Sequence, residues 1–167
     1  MGAIFQQWGG STATFFSYIH ISHDLTAGLL IGLLPLIRED LGLNYLQSGL
    51  LIGAYSLTSG LSQFPGGWLG DRVSRHLVIA TGLVGVSLAT FAVGLSSAYY
   101  PMLFILVIRG IFTGAYHPSA ASMLAGQFGA SRRGKAIALH MVGGSIGFAI
   151  GPILGGLIAG MLGWRFA

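Results

Sequence analysis

The sequence predicts an all-α integral membrane protein with five transmembrane helices, and three observations carry that expectation. Of its 167 residues 53% are apolar and 7% charged, against about 25% charged in an ordinary soluble domain. The 8 Lys+Arg and 4 Asp+Glu cannot coat a body of this size in water. Long uncharged runs, enough to cross a hydrocarbon core of about 30 Å, alternate with short charged clusters. Glycine, at 28 residues, exceeds the usual ~7% without a collagen period, as expected where membrane helices pack backbone to backbone. A soluble bundle would need polar outer faces, which no run shows. Disorder is excluded by the apolar content.

Cutting the chain at its charges and turn residues gives the spans in order. The first, about 13–37, closes at Arg38-Glu39-Asp40, and the second, about 46–69, ends at Gly70-Asp71-Arg72. Beyond His76 no Lys, Arg, Asp or Glu appears until Arg109. That stretch is too long for one helix and is interrupted by Ser96-Ser97-Ala98 with Pro101 beyond, which yields spans at 77–95 and 100–123. A loop with Arg132, Arg133 and Lys135 precedes the fifth span, 136–162. Gly163-Trp164-Arg165 reads as an interface anchor. The third span carries no charge and reads as a lipid-facing support helix.

Arg72, Arg75, Arg132, Arg133 and Lys135 fall in the 2–3 and 4–5 loops, whereas Arg38 and Arg165 lie on the opposite side. The positive-inside rule therefore predicts a cytoplasmic N-terminus in the cell membrane. The net charge of +4 forms no surface stripe and implies no nucleic-acid partner. The N-terminus lacks the basic region of a cleavable signal peptide, so the first stretch is expected to be retained. Cysteine is absent, which removes disulfide frameworks and thiolate metal sites. No phosphate loop, nucleophile elbow or His-Glu-x-x-His occurs, so neither an enzyme nor a cofactor is expected.

Charged side chains within a span are costly and usually face an interior or a water-filled cavity. His20, His23 and Asp24 stand at i, i+3 and i+4, on one face of the first span. Asp24 is a candidate proton carrier with the histidines as charge partners; the alternative is a polar cluster snorkelling to the cytoplasmic interface. The set also resembles a metal-binding run, but zinc usually takes a third or fourth ligand, and no metal is expected. In the fourth span Arg109, Thr113, Tyr116 and His117 form a polar stripe at i, i+4, i+7 and i+8. His140 either joins the cavity or sits at an interface. In the fifth span Gly143, Gly147, Gly151 and Gly155 recur every four residues, with Pro152 and Gly156 beside them. This predicts a close-packed, pliable helix, or a purely structural ridge. Gly49, Gly53 and Gly60 of the second span read first as packing positions.

Three of these stretches carry a family resemblance. Gly67-Trp68-Leu69-Gly70-Asp71-Arg72-Val73-Ser74-Arg75-His76 resembles the loop signature of the major facilitator superfamily. It departs from that pattern at Ser74, where a second Gly is common, and at His76, where a basic residue is usual. Gly67, Gly70, Asp71, Arg72 and Arg75 would form a polar latch at the cytoplasmic edge; the plainer reading is interfacial charges stopping a helix. Gly147 to Gly156 resembles the Gly-Pro motif of the fifth helix, best known in drug/proton antiporters. Arg109 resembles the fourth-helix arginine, although Phe112 and Thr113 replace the Gln and Gly that usually follow. Tyr116-His117-Pro118-Ser119 and Val142-Gly143-Gly144-Ser145-Ile146-Gly147 are similar to a branch that includes the fosmidomycin-resistance transporters.

The resemblance implies the N-terminal portion of a twelve-helix fold, an incomplete six-helix half whose C-terminal partner half is missing. It implies a secondary active transporter working by alternating access, with a small organic substrate, protons and the bilayer as partners. Proton-coupled efflux is the expected activity, with Asp24 and Arg109 as the coupling pair. Uptake of a metabolite or sugar is the rival within that class, and a membrane structural or assembly protein the rival outside it.

Overall fold

The computed structural model describes residues 6–167; the part of the retained N-terminal stretch that falls on 1–5 lies outside them. Five long helices run through it: α1 (Gly10–Asp40), α2 (Tyr45–Arg72), α3 (Arg75–Leu95), α4 (Tyr99–Gln127) and α5 (Ala130–Leu162), with a 3-10 turn at Trp164–Phe166. By length and apolarity alone Tyr45–Leu95 counts as one segment, giving four membrane-capable stretches. At 1.5 Å per residue that segment would be about 75 Å long, far more than a bilayer core. It breaks at Val73-Ser74, and α2 and α3 are separate helices.

Local chemistry sets the ends. Asn44 and Gln47 cap α2 reciprocally, the Gln47 N–H donating to Asn44 Oδ1 at 2.8 Å and the Asn44 N–H to Gln47 Oε1 at 2.9 Å. Gly42, at φ 61°, turns the chain from α1 toward α2. Pro101 lies in the first turn of α4, where its missing N–H needs no partner. One expectation is corrected: Arg132, Arg133 and Lys135 occupy the opening turns of α5 rather than a loop. The main-chain ladder runs past the hydrophobic boundary, Arg132 and Arg133 donating their N–H groups to Gly129 O. These charges lie within the helix and do not mark its end.

The helices pack as two close pairs. α1 lies on α5: an added Cβ at Gly143 would stand 2.6 Å from Ser17 O, at Gly151 2.6 Å from Leu25 O, and at Gly32 2.6 Å from Pro152 Cα. α2 lies on α4, where a Cβ at Gly66 would stand 2.5 Å from Ala115 Cα and at Gly110 2.6 Å from Tyr55 O. α3 packs on α4 and leaves Leu77, Val84, Leu88, Phe91 and Leu95 exposed. Such backbone approach replaces the hydrophobic drive that lipid removes. Not every predicted packing glycine takes part. Gly156, turned about 100° from Gly155, faces open space, and so do Gly49, Gly53 and Gly60.

Two apolar clusters fill the interior. One gathers Leu30, Leu33, Ile37, Leu51, Met102 and Trp164, the other Phe16, Ile79, Tyr116, Leu124, Phe128 and Ala136. The polar residues of α1, numbers 20 to 26, lie between them along the helix.

The 3-10 turn is pinned. Arg165 Nη1 donates to Asp40 Oδ2 at 2.5 Å, Trp164 Nε1 donates to the same oxygen at 3.2 Å, and Arg165 Nη2 donates to Ser96 O. The Arg165 bond, aided by Trp164, holds the Asp40 carboxyl below its usual range. A depressed folded value means that the pair stabilises above the ordinary aspartate pKa of about 3.9 and loses its effect as pH falls through the folded value. Thermal melts of detergent-solubilised protein are expected to show a drop in melting temperature below about pH 4 that is shallower in Asp40→Asn. Equal acid slopes would remove the tie.

Candidate functional site

The α1 residues His20, His23 and Asp24 point inward, both histidines being 3% exposed. They begin ten residues into α1, about 15 Å along its axis. α4 adds His117 and α5 adds His140. Asp24 is ringed by three imidazoles: His23 Nδ1 donates to Oδ1 at 2.8 Å, His20 Nε2 lies 3.2 Å from Oδ2, and His117 Nε2 lies 4.0 Å from Oδ1. His140 stacks on His20 with ring centroids 4.2 Å apart, and Tyr116 stacks on His23 at 4.4 Å. His140 is therefore an interior residue, 1% exposed.

Main-chain acceptors fix the tautomers. His20 Nδ1 donates to the His140 carbonyl at 2.8 Å, and His140 Nδ1 donates to the Phe16 carbonyl at 3.0 Å. A carbonyl only accepts, so each Nδ1 carries its proton. The Nε2 of neutral His20 then turns a lone pair toward the Asp24 carboxylate, and two acceptors face each other unless a cation lies between them. Neither His20 Nε2 nor His23 Nε2 has a hydrogen-bond partner among the described residues.

Gly144 makes the arrangement possible. A Cβ there would lie 2.6 Å from His20 Cε1 and 2.7 Å from Asp24 Oδ2. The cluster opens on a cavity of about 330 Å³ bounded by His20, Asp24 and His117 with Met141, Ser145 and Phe148. Sequence reasoning passed over Gly144, because adjacency to Gly143 was its one signal.

Arg109 is 1% exposed, and it makes no direct contact with Asp24, its expected coupling partner. Its Nη2 donates to Thr26 Oγ1 at 2.6 Å, its Nε donates to Thr90 Oγ1 at 3.0 Å, and its guanidinium lies 4.7 Å from the Tyr55 ring centroid. The reason is axial distance: Arg109 precedes His117 by eight residues, about 12 Å of helix. Thr26, Thr90 and Tyr55 were missed. Thr26 could have been found, being three residues beyond His23 on the same face. Thr113 and the Tyr116 hydroxyl are buried without a hydrogen-bond partner among the described residues.

At the α2–α3 break, Arg75 Nη2 donates to Asp71 Oδ1 at 2.7 Å, with both side chains solvent-accessible. Arg72 stacks over Trp68 at 4.5 Å. Gly70 faces Ser119 Oγ, and Gly67 faces Pro118, across the contact with α4. The predicted latch residues are thus neighbours, with Arg75 holding the carboxylate.

Ionisable groups buried between membrane-length helices and opening on a cavity define a polytopic helical membrane protein with a polar interior. The family model of the Major Facilitator Superfamily matches residues 16–167. The chain belongs to that superfamily. It is 29% identical over 135 residues to the quinolone resistance protein NorA of Staphylococcus aureus, covering 81% of this chain and 35% of NorA. It is 30% identical over 133 residues to the tetracenomycin C resistance and export protein of Streptomyces glaucescens, covering 78% of this chain and 24% of that one. A probable hexose phosphate transport protein of Chlamydia muridarum is 31% identical over 134 residues, 80% of this chain and 29% of its own length. The chain spans about a quarter to a third of the length of these relatives.

Proposed function

We propose that this chain is the N-terminal portion of a secondary active transporter that exports a small organic molecule in exchange for protons by alternating access. The observation that carries this reading is the Asp24 cluster, a buried carboxylate among three histidines beside a cavity. A proton on His20 Nε2 turns its contact with Asp24 from two opposed acceptors into an ion pair. Arg109, held by Thr26 and Thr90, acts in this reading as a fixed positive charge one layer away from the proton seat rather than as its direct partner.

The greater length of the relatives supports a second half that completes the cavity, as in folds built from repeated units about a mid-membrane site. The lysine and arginine distribution supports a cytoplasmic N-terminus in the cell membrane. No reaction is assigned to the cluster: it moves a proton and makes or breaks no other bond. The test is flux in vesicles bearing the complete transporter under an imposed pH gradient, with a quinolone and a hexose phosphate as probes. Proton-driven quinolone extrusion supports export. Hexose phosphate accumulation supports uptake, the second reading, which the Chlamydia relative and the buried Arg109 favour. No flux of either would leave the scaffold reading.

The Asp71–Arg75 pair lies at the cytoplasmic edge in this orientation and forms or breaks with the cycle. Its surface geometry is worth about 0–1 kcal/mol, so Asp71→Asn is expected to leave thermal stability nearly unchanged. It is expected to alter labelling of a cysteine placed by Gly67→Cys, where a Cβ meets Pro118 at 3.5 Å without crowding. Identical labelling with and without the Asp71 change would remove the latch.

A further inference from the structure

We propose that His20, Asp24 and His117 bind a divalent transition-metal cation of the Zn²⁺ class, through His20 Nε2, one Asp24 oxygen and His117 Nε2. The fourth coordination position faces the cavity. One ligand atom from each residue lies within 4.8 Å of the other two. A tetrahedral Zn²⁺ ion with bonds near 2.0–2.1 Å sets its ligands about 3.3 Å apart. His20 Nε2 and Asp24 Oδ2 already stand at 3.2 Å. His117 Nε2 lies within 4.8 Å of the other two ligand atoms and needs to close by at most about 1.5 Å. It has room to do so, because its side chain is 30% exposed and lines the cavity. Its helix is also loosened there by Pro118, which cannot donate to Gly114 O.

Three further features point to a cation. His20, 3% exposed, aims an unpartnered Nε2 at the carboxylate, and its Nδ1–H is held by the His140 carbonyl. That outer bond is what orients a metal-ligating imidazole. His23 bonds to Asp24 Oδ1 and orients the carboxylate in the same way. Gly144 leaves open the space over His20 and Asp24 that a side chain would fill. Two imidazoles and a single carboxylate select zinc-like ions over Ca²⁺ and Mg²⁺, which require more oxygen ligands. Of the proposed ligands the sequence offered His20 and Asp24 on one helix; the fold supplies the third donor, His117, 93 residues beyond Asp24.

The test is calorimetric titration of Zn²⁺ alone, with Mg²⁺ as the comparison, into the tag-free full chain in detergent. Co²⁺ absorption serves as a second readout. The expected result is one saturable Zn²⁺ site per chain, no Mg²⁺ heat, and intense tetrahedral Co²⁺ bands. His117→Ala and Asp24→Asn should each weaken Zn²⁺ binding by at least about ten-fold, while His76→Ala, at an exposed position, should not. Absence of a saturable site, wild-type affinity in both ligand variants, or octahedral Co²⁺ spectra in the wild type would overturn the assignment. The last needs no variant to fold. The site shares its residues with the transport reading but does not depend on transport. A protein that carries proton-driven flux without binding Zn²⁺ loses only the metal site, and one that binds Zn²⁺ without such flux loses only the coupling.

Discussion

Gly147→Leu is expected to prevent α1 and α5 from assembling, with loss of most folded protein. The obstacle is main chain: a Cβ at position 147 would run into the carbonyl, C and Cα of Ile21. Overpacking a core usually costs about 1–3 kcal/mol, and the upper end applies where no flexible side chain can yield. Because α1 meets α5 along its whole glycine ridge, a shift at Ile21 also disturbs Gly143 against Ser17 and Gly151 against Leu25. Gly156→Leu supplies the contrast, since nothing lies within 4 Å of its Cβ position. Its expected cost is within about 0.5 kcal/mol. Thermal melts followed by size-exclusion recovery in detergent would separate them. Equal loss in the two variants would mean that glycine content, not the seam, governs folding.

Asp24→Asn is expected to reduce proton-driven flux in the complete transporter to background while leaving the protein folded. A carboxamide occupies the same volume and can donate to His20 Nε2, so the opposed acceptors disappear and the cluster loses its negative charge. What is lost is the charge that holds a proton on the imidazole. Flux under a pH gradient measured beside a monodisperse size-exclusion profile makes the distinction. Retained gradient-driven flux would place the proton elsewhere, and a collapsed profile would give Asp24 a structural role. Substrate exchange without a gradient should survive, because alternating access itself does not require the proton.

The spans were legible because lipid imposes an almost binary pattern on a sequence. His20, His23 and Asp24 were legible as a unit because helical periodicity alone places them together. The rest of the cluster was not. His117 and His140 reach it from α4 and α5, and no spacing along one helix encodes which face a distant helix presents. Arg109 was named with Asp24 as an intramembrane charge that resembles the family's fourth-helix arginine, and the α4 register sets it beside Thr26 and Thr90. Thr90 gave no warning, as a lone hydroxyl in an apolar helix usually bonds its own backbone, which it also does here through Val86 O at 2.7 Å. The glycines divided similarly. Those of the α5 ridge showed their role through a four-residue repeat, whereas Gly49, Gly53 and Gly60 kept part of that rhythm and face nothing in the fold.

The two imidazole-to-carbonyl bonds run in opposite senses, His20 of α1 into α5 and His140 of α5 into α1. They act as crossed stitches through a seam that otherwise consists of bare main chain. Sliding either helix along its partner strains both stitches at once, and a Cβ-free seam is too close for the helices to roll over one another. α1 and α5 therefore behave as one stiff plank, and α2 with α4, joined backbone to backbone in the same manner, as another. The compliant plane of the bundle is the joint between the planks, and Asp24, facing His117 across that joint, lies on it.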